Sequence, residues 1–115
     1  MRRVDEAVRQ VIGDAVAADL KDPRVGFVTV TDVRTSTDLR HARVYVSVLG
    51  ADGGPSAPQE REDSLAGLRS AHGFLQARVA SELRLKRTPE LEFVYDDTTD
   101  RALRLEELID RETGQ

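Results

Sequence analysis

The chain has no cysteine and no tryptophan, and only two histidines, two lysines and five aromatic residues. Without cysteine, disulfides and thiolate metal sites are excluded, which fits a reducing cytoplasm. His41 and His72 stand apart in the sequence and make no zinc set by themselves. No apolar run approaches the ~20 residues that cross a bilayer. The start, "MRRVDEAVRQ", has two arginines and no apolar stretch behind them, so no secretory signal is expected. The glycines of "GADGGPSAP" are not followed by Gly-Lys-Ser/Thr, so they make no phosphate loop. The aromatics Phe27, Tyr45, Phe74, Phe93 and Tyr95 form no "RGFGFV"-like row for stacking bases. Phe27 and Phe93 are expected in the core.

Charge is plentiful but unevenly placed. The net charge is −4, which does not point to a generic nucleic-acid binder. The segment Arg69–Arg87 nevertheless holds five cations (Arg69, Arg78, Arg84, Lys86 and Arg87) against Glu82 alone. The acids gather after it, from Thr88 to Gln115.

The chain length suits one domain with one shared core. Helical spacing of Val4, Val8, Val11, Ile12, Ala15 and Val16 predicts a helix over Arg3–Leu20. Asp5 and Glu6 fall where the helix dipole favours acids, and Pro23 lies in the turn that follows. "GFVTVTDVRTS" (Gly26–Ser36) predicts a strand. Its Val33 is out of phase with Val28 and Val30, so a bulge or bend is expected near Asp32. "ARVYVSVL" (Ala42–Leu49) alternates valines with Arg43, Tyr45 and Ser47, which predicts a half-buried strand. Gly50–Pro58 reads as a flexible loop without regular structure. Helical pattern runs from about Gln59 to Leu83 around Gly73, and "ELEFVYD" (Glu90–Asp96) predicts a third strand. Thr98 or Thr99 is placed to cap a last helix carrying Leu105, Leu108 and Ile109. Asp96 and Asp97 would point to opposite faces of a strand, and one of them is expected to cap rather than catalyse. The order is α-β-β-α-kink-α-β with a C-terminal helix. That is an α+β domain, with a hairpin and a helical crossover to a parallel third strand. One sheet face would carry helices, and the other would be partly open.

"LRSAHGFLQARV" (Leu68–Val79) raises a question of its own. Glycine in a helix costs about 1 kcal/mol relative to alanine. Gly73 therefore marks either close helix packing or a kink. His72 beside it and the basic residues around it favour the kink. A helix start offers backbone N–H groups to phosphates, and a missing side chain lets a phosphate or sugar approach.

Four stretches together resemble the ribosome-binding factor A family. They are "DPRVGFVTVTDV" (Asp22–Val33), "DLRHARVYVSVLG" (Asp38–Gly50), "LRSAHGFLQARVASELRLKRTPELEF" (Leu68–Phe93) and Asp96. The resemblance covers nearly the whole chain. It implies a single type II KH-like domain over 1–115 with a three-stranded mixed sheet, in which Ala71-His72-Gly73 matches an Ala-x-Gly kink. It implies binding to the free small (30S) ribosomal subunit and 16S rRNA during late maturation, including rRNA processing and often linked to cold adaptation. It implies no catalysis.

The RNA site so expected comprises Arg69, Ala71, His72, Gly73, Arg78, Arg84, Lys86 and Arg87. Arg78, set among Leu75 and Val79, would only flank it. No cofactor, metal, membrane or small-molecule substrate is expected. The chain reads as a cytoplasmic monomer, with residues 112–115 a disordered tail. The competing reading is a small acidic protein–protein adaptor that uses the Glu- and Asp-rich last helix and touches no RNA.

Overall fold

A computed structural model of the chain describes residues 2–50 and 52–97. The last helix with its Thr98 or Thr99 cap and the tail lie outside the described residues, and so does the helix that Asp96 or Asp97 is expected to cap. Among the described residues there are six elements: α1 (Arg2–Ala18), β1 (Phe27–Thr35), β2 (His41–Leu49), α2 (Pro58–Ser70), α3 (His72–Leu83) and β3 (Glu90–Tyr95). The fold is α+β. The sheet order is β1-β2-β3, with β1 and β2 antiparallel and β2 and β3 parallel. Among the described residues no helix is long and apolar enough to cross a membrane.

One apolar core joins the helices to one sheet face. Val8, Ile12 and Ala15 of α1 meet Val30 and Val33 of β1, Val44 and Val46 of β2, Leu68, Leu75 and Val79 of α2 and α3, and Leu91 and Phe93 of β3. The strict alternation of β2 puts Ala42, Val44, Val46 and Val48 in this core and leaves Arg43 exposed and Tyr45 and Ser47 half-buried on the far side. The irregular spacing in β1 is a bulge. Val30 pairs with Val46 and Asp32 with Tyr45, so Thr31 is the extra residue. The inserted residue resets the face, and Val33 returns to the core three positions after Val30.

Two sequence expectations are corrected and a third is extended. Phe27 is not in the core: it is 65% exposed, opposite Leu49 in register. The reason is parity, since Val28 and Val30 take the inner face and their odd-numbered neighbour takes the outer one. The segment 50–58 is not wholly irregular. Gly50 N–H donates to the Gly54 carbonyl, Leu49 bridges to Pro55, and Pro58 is the first residue of α2. Asp5 does more than sit near a helix dipole. Its carboxylate accepts from the Thr35 N–H at 3.0 Å and ties α1 to the end of β1.

Candidate nucleic-acid interface

The two central helices break at Ala71, whose φ of −89° and ψ of 9° leave the helical region. The Ala71 N–H still bonds back to the Gly67 and Leu68 carbonyls, and the Ala71 carbonyl accepts from Leu75 N–H. The turn is therefore tight, and α3 starts without a side-chain cap. Gly73 sits in the first turn of α3. A Cβ there would meet nothing within 4 Å. Close helix packing is thus not its reason. It leaves a low, open backbone surface beside the break.

The glycine that does permit close packing is Gly67. A Cβ there would stand 2.5 Å from Val25 Cγ2. Val25 belongs to the turn Asp22–Gly26, which docks on α2 at every third residue. Ser64 Oγ accepts from Gly26 N–H and donates to the Arg24 carbonyl, Gly67 receives Val25, and Ser70 Oγ accepts from Arg24 Nη2. Asp22 holds Arg24 in place through the Arg24 N–H, Nε and Nη2. Small residues three apart (Ser64, Gly67, Ser70) were the sequence signal for this seam, and sequence reasoning passed over it. The seam fixes the end of α2 and so the direction of the break.

The Asp22 carboxyl lies below the ordinary carboxylate range, first because of the Arg24 side-chain bonds and next because of the Arg24 N–H. The folded state therefore prefers the ionised form. Its contribution is complete above the unfolded-state value of about 4 and is lost as pH falls through the lowered one. Thermal midpoints measured in steps from neutral pH downward should fall more gently in Asp22→Asn than in the parent chain. An unchanged slope would mean that the fork does not couple to folding.

The expected site residues separate into groups. At the break, Arg69 Nη2 donates to the Phe93 carbonyl at 3.2 Å, and His72 Nε2 lies 3.4 Å from Glu90 Oε1. Gln76 continues this seam, donating to the Pro89 carbonyl and accepting from the Leu91 N–H. These side chains close the outer edge of β3, which would otherwise leave its backbone groups unpaired. Part of the Arg69 fork is therefore structural. Arg78 lies elsewhere: it pairs with Asp19 at the end of α1 and stacks over Phe74 at 5.4 Å. The flanking role anticipated for it becomes an α1–α3 tie.

Arg84, Lys86 and Arg87 are exposed and have no ion-pair partner among the described residues. Arg84 ends α3 in the left-handed region at φ 48°. It stands roughly 16 Å along the α3 axis from Gly73, at 1.5 Å per residue. The chain then returns through Lys86 and Arg87 to Pro89, one turn of α3 from His72. The free cations thus line a return path, not a spot at the break. Among the described residues no three His, Cys, Asp or Glu side chains are grouped to hold a metal ion.

The family model for ribosome-binding factor A matches residues 1–109. This chain belongs to the ribosome-binding factor A family. Ribosome-binding factor A of Halorhodospira halophila is 45% identical over 109 residues, which span 95% of this chain and 82% of that protein. The crystal structure of ribosome-binding factor A from Thermus thermophilus aligns at a TM-score of 0.68 with 29% identity, over 82% of this chain and 93% of that one. Thermus thermophilus ribosome binding factor A fitted as a homology model into the cryo-EM map of a 30S–RbfA complex aligns at 0.61 with 31% identity, over 81% and 91% of the two chains.

The open space at Gly73 also makes a stability prediction. Gly73→Ala should raise stability by about 1 kcal/mol, because the helix gains propensity and nothing clashes. Chemical denaturation checks this, and a loss of stability would mean that the space is filled in solution.

Proposed function

We propose that this chain binds the small ribosomal subunit through 16S rRNA and assists late maturation of that subunit, including rRNA processing. The observation that carries the reading is the open Gly73 backbone at an uncapped helix start, joined by α3 to Arg84, Lys86 and Arg87, which are exposed and have no ion-pair partner among the described residues. The 30S–RbfA complex of the Thermus relative supports the choice of partner. The α-β-β-α-break-α-β order supports the KH-type reading. In this reading Ala71 and Gly73 give the phosphate backbone a close approach. Arg84, Lys86 and Arg87 supply the charge, with Arg69 and His72 at the margin. Arg78 is withdrawn into its pair with Asp19. Recognition rests on backbone shape and charge, the protein acts as a cytoplasmic monomer, and no catalytic step is assigned.

Co-sedimentation with separated small subunits, large subunits and whole ribosomes at two salt concentrations tests this. The expected result is retention by small subunits alone, with log affinity falling by about 0.7–0.9 per phosphate contact for each unit of log salt. Salt-independent retention, or capture by protein partners in the absence of small subunits, would overturn it in favour of an adaptor.

A further inference from the structure

The two edges of the sheet are finished differently. On β3, side chains of Arg69 and Gln76 take the outward backbone groups of Phe93 and Leu91. On β1, among the described residues, two of the outward N–H groups are taken at one end only: Thr35 by Asp5 and Val33 by the carboxylate of Asp32. The rest of the edge follows from the ladder. The Val46 carbonyl accepts from the Asp96 N–H, so the backbone of Val46 points toward β3. Its antiparallel partner Val30 therefore points its N–H and C=O away from the sheet, and so does Val28, two residues before it.

Beside this open stretch runs α1. Between them lies a groove of about 270 Å³, whose lining includes Arg9, Gly13, Asp14 and Ala17 of α1 and Val28 and Val30 of β1. Gly13 deepens the groove, since a Cβ there would meet nothing within 4 Å. Glu6 and Arg9 pair with each other, and Asp32 pairs with Arg34. Asp14 accepts a hydrogen bond from Gln10 but has no cation among the described residues.

We propose that this groove binds an extended, basic segment of another protein chain, which adds to the sheet as a strand beside β1. A strand laid about 4.8 Å from β1 would pair with Val28 and Val30 through its main chain. Its small or β-branched side chains would fill the space over Gly13, Val16 and Ala17. A lysine or arginine on it would reach Asp14. The inference is independent of the RNA reading, because the β1 edge shares no residue with the break or the basic return path.

The test uses the full chain and a capped six-residue peptide of alternating valine and lysine. A second peptide is N-methylated at the amides that would face β1, and a third carries glutamate for lysine. The readout is amide and methyl NMR shifts. The expected result is saturable shifts at Gly13, Ala17, Val28 and Val30 with the lysine peptide and none with the other two. Gly13→Leu fills the groove without loss of helix propensity and should abolish the shifts while the fold is kept. Asp14→Lys should weaken binding about tenfold or more. The proposal is overturned if the N-methylated peptide binds equally well, if Gly13→Leu binds as the parent does, or if no saturation appears by about 1 mM. Concentration-dependent shifts at Val28 and Val30 without peptide would also overturn it, since a second copy of the chain would then occupy the edge.

Discussion

Changing Arg84, Lys86 and Arg87 together to glutamate should weaken binding to isolated small subunits by about a hundredfold or more, with little change in thermal midpoint. Three phosphate contacts become three repulsions, and a hundredfold is about 3 kcal/mol, or roughly 1 per site. The fold is spared because all three residues are exposed and none pairs with an acid among the described residues. The salt slope should flatten by roughly two to three units as the contacts are lost. A companion variant separates binding from folding. Arg84→Gly removes one cation at a left-handed position, where glycine is favoured, and should raise stability by about 1 kcal/mol while still lowering affinity. Gly73→Glu should also damage binding, by bulk and charge where the backbone is lowest. If the triple variant binds as the parent does while Glu106→Lys with Glu107→Lys abolishes binding, the interface is not on the return path.

Gly67→Val should cost about 2–3 kcal/mol, enough to lower the melting midpoint by several degrees. A Cβ at this position would stand 2.5 Å from Val25 Cγ2, and a stiff β-branched neighbour cannot swing aside. Either the Asp22–Gly26 turn lifts off α2 or the helix shifts. Both loosen the Arg24–Ser70 bond that sits one residue before the break. Subunit binding should therefore fall along with stability. Calorimetry with Gly13→Ala as a control makes the comparison, since that substitution meets nothing and should stabilise by about 1 kcal/mol. Equal effects from the two substitutions would mean that the turn does not press on α2.

Much of this architecture could be read from periodicity. The alternation of β2 gave its inner face, and the phase slip between Val30 and Val33 gave the bulge, because both signals depend only on the two-residue repeat of a strand. The break at Ala71 was visible as a glycine out of place, although the residue with non-helical angles is Ala71 and not Gly73. Phe27 was misplaced because its size argued for burial while its parity argued against it, and parity won. The candidate interface was less legible. Consecutive cations from Arg69 to Arg87 looked like one basic segment, yet a helix of twelve residues distributes them in space. Arg78 was drawn to Asp19, 59 positions away, and Arg69 to the carbonyl of Phe93. Pairings at that separation leave no local pattern. Gly67 left only a faint local signal, the small residues Ser64, Gly67 and Ser70 three apart, and nothing in that spacing names Val25 as the side chain that presses on it.

The parallel pairing of β3 with β2 also sets an order of events during synthesis. His41 must wait for Glu90 before their strands can align, so the hairpin of β1 and β2 leaves the ribosome with its third strand still unmade. Through that interval the inner-face valines of β2 lack α2, α3 and β3, whose Leu68, Leu75, Val79, Leu91 and Phe93 complete the core. The break at Ala71 is fixed in two steps, because Arg24 waits for Ser70 and Arg69 waits for Phe93 in β3 itself. Closing such long loops is slow compared with forming a hairpin. The nascent chain therefore acquires its apolar half before the surface assigned to RNA takes shape, and a chain halted before β3 would present an unfinished valine face to whatever else the cell contains.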